Sequence, residues 1–149
     1  RRLGLAGEAL PKVTYNLLDP DQYKSMHLAV VGSGNSAAEA VDMLCKSTLA
    51  NTVSMLAITS GFDRCNAENE AKVLKAAREG RAKLYFNTKV ESIHEDHLEI
   101  SVQGERQVLK NDFLFIFIGA EMQTKFFNQL GIQVDKKFGE PLTDKPRKL

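Results

Sequence analysis

One junction constrains this chain more than any other. Residues 28–31, Leu-Ala-Val-Val, run without a break into Gly32, Ser33, Gly34, Asn35, Ser36 and Ala37. A short apolar run containing β-branched residues reads as a parallel strand covered on both faces. The glycines and the alanine that follow have G-x-G-x-x-A spacing, and each has a mechanical reason. Gly32 allows a tight turn off the strand. Gly34 lacks the Cβ that would hold a pyrophosphate away from the backbone. Ala37 is small enough for the next helix to lie near the strand. Asn35 and Ser36 are placed to cap that helix, whose free N–H groups and positive dipole end would face phosphates. The bare spacing also fits an ordinary strand–helix turn. The buried strand before it and the helical apolar face after it (Ala37, Ala38, Ala40, Val41, Leu44 and Cys45) favour a dinucleotide-binding turn.

The totals narrow the class. A chain of 149 residues has the size of one domain and can bury a real core. Lys and Arg number 20 against 19 Asp and Glu, for a net charge of +1, so nothing electrostatic argues for nucleic acid or an anionic membrane surface. No apolar run approaches the ~20 residues of a membrane span, and the opening RRLGLAGE lacks the apolar core of a signal peptide. Cys45 and Cys65 are not in C-x-x-C spacing. Cys45 reads as a small core residue, and Cys65 as a thiol in a polar loop. A reduced, cytoplasmic protein is expected. The chain starts without methionine and ends in the polar EPLTDKPRKL, which suggests a piece of a longer polypeptide.

Other segments follow from pattern. Residues 1–11 have two glycines and no amphipathic period, so they read as an extended linker. Residues 13–18 form a short strand or turn, and Pro20 opens a short helix after Asp19. A second apolar strand covers 53–58, ended by Thr59, Ser60 and Gly61, with a polar loop to Asn66. A helix over 67–79 has Ala67, Ala71, Leu74 and Ala77 as its apolar side, flanked by Val73 and Ala76, and Gly80 stops it. A third strand spans 83–86. The β-α-β-α-β order argues for a parallel sheet with right-handed crossovers. Runs at 89–94, 98–102 and 106–109 then form an antiparallel meander, with Val90, Ile93, Leu98, Ile100, Val102 and Val108 as its apolar positions. FLFIFI at 113–118 is a central parallel strand ended by Gly119, followed by a short helix at 124–130 and an edge strand at 132–134. The expected fold is α/β: a Rossmann-like parallel sheet with an antiparallel three-stranded β-meander. Its domain plan is a connecting segment at 1–26, a nucleotide-binding domain at 27–135 and an exit tail at 136–149.

With these segments placed, the chain resembles the pyridine-nucleotide domain of thioredoxin-reductase-like flavoproteins, in the pyridine nucleotide-disulfide oxidoreductase superfamily. RRLGLAGE looks like the segment that runs from that family's FAD domain into this one. GSGNSAAEA at 32–40 looks like its G-G-G-x-S-A-x-E-x-A signature, and FLFIFIGAEMQT at 113–124 like its closing strand and loop. The resemblance implies an NAD(P)H-binding domain of an FAD-dependent oxidoreductase, presenting the nicotinamide for hydride transfer to a flavin held by another domain. No catalytic residue and no metal ligand is expected in this chain. The implied cofactors are NADPH or NADH here and FAD in the full-length protein. The implied partners are the FAD domain of the same polypeptide and an unknown electron acceptor, and a homodimer of the full-length protein is compatible with them. Glu39 matches an acidic position that lies near the cofactor in relatives, although the helix dipole also favours a solvated acid there. Gly119 matches a glycine that lets backbone pass close to the cofactor, although glycine also ends strands for no other reason.

Three departures matter. The redox C-x-x-C of thioredoxin reductases is missing from the region before the turn, so dithiol chemistry by this domain is not expected. No separate FAD fingerprint precedes the turn. Met122 stands where relatives often have proline. At the end of the second strand an Asp or Glu would hold the ribose 2′-OH of NAD. Ala57, Ile58, Thr59, Ser60 and Gly61 offer no acid, and Arg64 is the nearest cation, beside Asp63. The lean is therefore toward NADPH, with Thr59, Ser60 and Arg64 as phosphate partners. Arg64 also reads as a plain solvated loop charge.

Other constellations are weaker. His94 and His97 flank Glu95-Asp96, and because their spacing crosses a hairpin turn they read as a solvated turn rather than a metal site. Phe126 and Phe127 read as core or domain-contact residues. Two other functions stay open: a non-catalytic NAD(P)-sensing or degenerate Rossmann module, and, more weakly, an adenosylmethionine-dependent methyltransferase fold.

Overall fold

The computed structural model describes residues 2–118. Gly119, Met122, the helix at 124–130 with Phe126 and Phe127, the strand at 132–134 and the tail lie outside the described residues. Ten strands and helices make up the described part: β1 (Val13–Thr14), β2 (His27–Val31), α1 (Asn35–Leu44), β3 (Thr52–Leu56), α2 (Ala67–Arg78), β4 (Ala82–Tyr85), β5 (Thr88–Ile93), β6 (His97–Val102), β7 (Glu105–Lys110) and β8 (Phe113–Ile116). Short 3-10 turns at Pro20–Gln22 and Ser47–Leu49 lie between them.

Five strands form a parallel sheet in the order β1-β8-β2-β3-β4, and β5, β6 and β7 form a separate antiparallel sheet. Alternation along the parallel strands divides the core in two. Leu28, Val30, Val53, Met55 and Phe115 point to the side covered by α1 and α2. Ala29, Val31, Leu56, Leu114 and Ile116 point to the other side, covered by Val90, Ile93, Leu98 and Ile100 of the antiparallel sheet. Both faces of the central strands are covered, which is why β2 and β8 read as apolar runs. Among the described residues no helix is long and apolar enough to cross a membrane.

Several local expectations change. The strand expected at 53–58 ends at Leu56, although Ala57 and Ile58 remain buried. In α2 the expected apolar side is turned away from the core. Ala67, Ala71 and Leu74 are exposed and Ala77 is half-buried, whereas Asn69, Val73 and Ala76 are buried. Exposing alanine methyl groups costs little, and Asn69 finds partners inside. In β7, Val108 is 70% exposed and the neighbouring Leu109 packs on the core. The register explains this: Leu109 lies opposite buried Leu98, and Val108 opposite Glu99. Val90 and Ile93 are three apart, and a regular strand would send them to opposite faces. A register shift between Val90 and Ser92 brings both inward.

The lead-in at 2–11 is a series of tight turns, not an extended linker. Glu8 gathers it: its carboxylate accepts from the N–H groups of Leu3 (2.7 Å), Gly4 (2.6 Å) and Leu5 (3.2 Å) and from the Tyr15 hydroxyl (2.6 Å). Burial pushes the Glu8 carboxyl up, but the Tyr15 and backbone donors together outweigh it and its pKa is lowered. Burial and the Glu8 charge raise the Tyr15 hydroxyl to about 12. Gly7, at φ +89°, lies so close to β5 that a Cβ would meet the Ile93 carbonyl oxygen at 1.8 Å. Lys12, nearly buried, donates from Nζ to the carbonyls of His94 (2.5 Å), Asn111 (3.1 Å) and Glu95 (3.3 Å), and so ties this lead-in to the antiparallel sheet.

Candidate functional site

The glycine turn sits at the carboxyl edge of the parallel sheet, the edge where ligands of open α/β sheets bind. Gly32 continues the ladder by donating to the Leu56 carbonyl at 3.0 Å. Its φ of +139° and its neighbours both demand glycine: a Cβ would lie 2.3 Å from the Phe117 carbonyl oxygen and 3.1 Å from Ala37 Cβ. Ala37 is fully buried, so the helix approaches the strand as closely as the small side chain allows. Ser33 is buried; its Oγ lies 3.2 Å from Thr59 Oγ1, and its carbonyl accepts from Asp63 N–H at 3.0 Å.

The first turn of α1 differs from the expected one. Gly34 is the N-cap and provides no side-chain acceptor, so neither Asn35 nor Ser36 caps the helix. The first hydrogen bond along the helix runs from Ala38 N–H to the Gly34 carbonyl at 3.0 Å. The N–H groups of Asn35, Ser36 and Ala37 therefore precede the intrahelical ladder. The first turn carries no acid, and Asn35 and Ser36 are exposed. Asn35 uses its Oδ1 elsewhere, accepting from Asn66 N–H (2.9 Å) and Asn69 Nδ2 (3.1 Å). Asn69 Nδ2 also reaches Glu39 Oε2 at 3.2 Å. Glu39 thus links α1 to α2. No apolar period announces a residue such as Asn69.

The loop after β3 wraps this turn. Gly34 has little room beside it: a Cβ would come within 3.3 Å of the Asp63 carbonyl oxygen. The close approach that Gly34 permits on that side is therefore made by the chain's own loop. Thr59 Oγ1 donates to the Gly61 carbonyl at 2.7 Å and faces Ser33, while Ser60 and Arg64 are exposed. Arg64 holds a left-handed φ of +61°. Phe62 packs edge-on against Phe86 at 5.5 Å and anchors the loop to the end of β4. Cys65 is half-buried; burial, then Glu70 and Glu39, push its thiol up, against the thiolate form. Cys45 is buried at the end of α1, and both cysteines are free.

The arrangement is a backbone turn at a sheet edge, followed by a helix start without a side-chain cap and a β3 end, residues 57–61, without an acid. Over residues 1–148 the sequence matches the family described as pyridine nucleotide-disulphide oxidoreductase. The chain belongs to that family. Within the pyridine nucleotide-disulphide oxidoreductases it is thioredoxin-reductase-like and carries no C-x-x-C. It is 30% identical over 148 residues to the bacilliredoxin reductase Bdr of Bacillus subtilis, an alignment covering 93% of this chain and 43% of that protein. It is 30% identical over 116 residues to the thioredoxin reductase of Coxiella burnetii, covering 72% of this chain and 35% of that one. Among solved structures, the bacillithiol disulfide reductase Bdr of Staphylococcus aureus superposes with a TM-score of 0.76 at 24% identity, over 91% of this chain and 42% of that chain. The thioredoxin reductase of Lactococcus lactis superposes with a TM-score of 0.66 at 20% identity, over 88% and 45%. These two likenesses establish the fold. The chain spans less than half the length of these two reductases.

Proposed function

We propose that this chain is the NAD(P)H-binding unit of an FAD-dependent, thioredoxin-reductase-like oxidoreductase of the cytoplasm. The observation that carries the reading is the start of α1, which leaves the sheet through Gly32-Ser33-Gly34 with no side-chain cap and no acid in its first turn. The pyrophosphate would accept from the N–H groups of Asn35, Ser36 and Ala37, helped by the helix dipole. Ser33 and Thr59 hold the turn against the loop rather than meeting the ligand. Ser60 and Arg64 are exposed on that loop and would face the adenosine 2′ position, and the lack of an acid at residues 57–61 favours NADPH. Glu39 acts through Asn69 to keep α1 and α2 together, and Gly119, by the family resemblance, would let the backbone pass close to the cofactor. The bound cofactors supply the redox chemistry, a hydride passing from nicotinamide to a flavin held by another domain of the same polypeptide. This chain's residues bind and aim, and the lead-in at 2–11 is the connection between the two domains. The missing C-x-x-C leaves delivery to the final acceptor to groups outside this chain.

Equilibrium titration with NADPH and NADH tests the reading. NADPH binds more tightly, and Arg64→Ala weakens NADPH several-fold while leaving NADH unchanged. Tighter NADH binding, or an Arg64→Ala variant that binds NADPH as the parent does, removes the 2′-phosphate assignment. No binding of either nucleotide removes the function.

A further inference from the structure

The hairpin between β5 and β6 brings together three side chains that lie apart in the sequence pattern. His94 N–H donates to the His97 carbonyl at 2.9 Å, so a two-residue loop, Glu95-Asp96, sets the two histidines opposite each other. Their rings stack with centroids 4.3 Å apart and planes 13° apart. Glu99 follows His97 by two residues and so rises from the same face of β6. One donor atom from each of His94, His97 and Glu99 lies within 4.8 Å of the other two. The turn that seems at sequence level to separate the histidines is what joins them.

We propose that His94, His97 and Glu99 bind a divalent transition-metal ion of the zinc type. Donors on a zinc tetrahedron sit roughly 3.3 Å apart, given Zn–N and Zn–O bonds near 2.0–2.2 Å. His94 Nε2 and Glu99 Oε2 are already 3.4 Å apart. The widest pair needs at most about 1.5 Å of closure, supplied by side-chain rotation on a part-exposed hairpin. Two imidazoles and one carboxylate suit zinc, and a water completes the set. An orienting partner is at hand: His97 Nδ1 and Asp96 Oδ1 are 2.7 Å apart, and a carboxylate on one ring nitrogen leaves the other, Nε2, to serve as the ligand once the ring turns. Two contacts compete and must yield. Ser92 Oγ is 2.9 Å from His94 Nε2, and Arg106 Nη1 is 3.7 Å from Glu99 Oε1. Both are single contacts at the surface and cost little to break. Lys110, opposite His97 in the register, adds a repulsion that limits affinity.

The site is remote from the glycine turn. The Thr88 end of β5 meets the carboxyl end of β3, where Thr88 N–H donates to the Ala57 carbonyl at 2.9 Å. The hairpin end instead lies by Lys12, whose carbonyl accepts from Leu114 N–H at the start of the sheet. Metal and nucleotide should bind independently, so this proposal stands or falls apart from the previous one.

Calorimetric titration of the chain with Zn²⁺ tests it, with circular dichroism confirming that each variant is folded. One ion binds per chain. His94→Ala and His97→Ala each weaken it by at least about tenfold and Glu99→Gln by less, whereas His27→Ala and Cys65→Ser leave it unchanged. Ser92→Ala, which frees His94 Nε2, tightens it or leaves it as it was. Co²⁺ gives visible bands without thiolate charge transfer, and these vanish in His94→Ala. Failure to bind at millimolar Zn²⁺, binding that survives in the His94→Ala/His97→Ala double variant, or loss of binding in Cys65→Ser overturns the proposal.

Discussion

The two helices on the parallel sheet begin side by side, joined by Asn35 and Asn69, yet their first turns are built in opposite ways. α2 is closed on itself. Asn66 is its N-cap, with Oδ1 accepting from Asn69 N–H at 2.8 Å, and Glu68 and Glu70 place negative charge in its first turn. α1 has Gly34 for a cap, no side-chain acceptor and no first-turn acid. A helix start needs acceptors for its leading N–H groups, and α2 finds one within its own sequence. In α1 the N-cap provides no such acceptor, and the proposed function assigns that role to a bound phosphate. On the proposed reading, the difference separates a helix that only supports the fold from one that would also seat an anion.

The comparison can be broken most severely at Gly32. Gly32→Ala places a Cβ 2.3 Å from the Phe117 carbonyl oxygen at a backbone angle that L-residues rarely adopt. Stability should fall by about 3 kcal/mol or more in urea unfolding, and nucleotide binding should fall with it. A milder change sharpens the contrast. Ser36→Asp gives the exposed first turn of α1 the acid it lacks. The helix dipole then predicts a gain of roughly 0.3–1 kcal/mol in stability. Nucleotide affinity should drop at least tenfold, about 1.4 kcal/mol, because the introduced carboxylate occupies the phosphate's place. Unchanged affinity would mean that α1 is not the seat. The smallest effect lies at the neighbour. Asn66→Ala removes the cap of α2 and costs about 1 kcal/mol of stability, while nucleotide affinity stays within about twofold of the parent. Thermal unfolding and titration on the same samples separate the two outcomes.

Much of the scaffold was legible because its signals are local. Strands covered on both faces favour apolar residues at successive positions, so Leu28 to Val31 and Phe113 to Ile116 stand out with no knowledge of their neighbours. Gly32 and Ala37 were legible for the same reason, since each answers a steric demand within one turn of chain. The residues that tie separate segments together were not. Glu8, Lys12 and Asn69 read as ordinary polar residues, and their value comes from partners in other elements. The apolar side of α2 was misread because alanine is too small to declare which way it points. Val108 was misread because only its register with Glu99 places it outside.

The amino-acid order alone determined the strand–turn–helix unit, the parallel class of the sheet and the lack of an acid at residues 57–61, all of which depend on residues within a few positions of one another. Tertiary structure decided which face of α2 is buried, how a shift near Glu91 turns both Val90 and Ile93 inward, and that His94 meets His97 and Glu99. Those outcomes depend on pairing and packing between segments, and the free energy of a contact between two segments is written in neither of them separately.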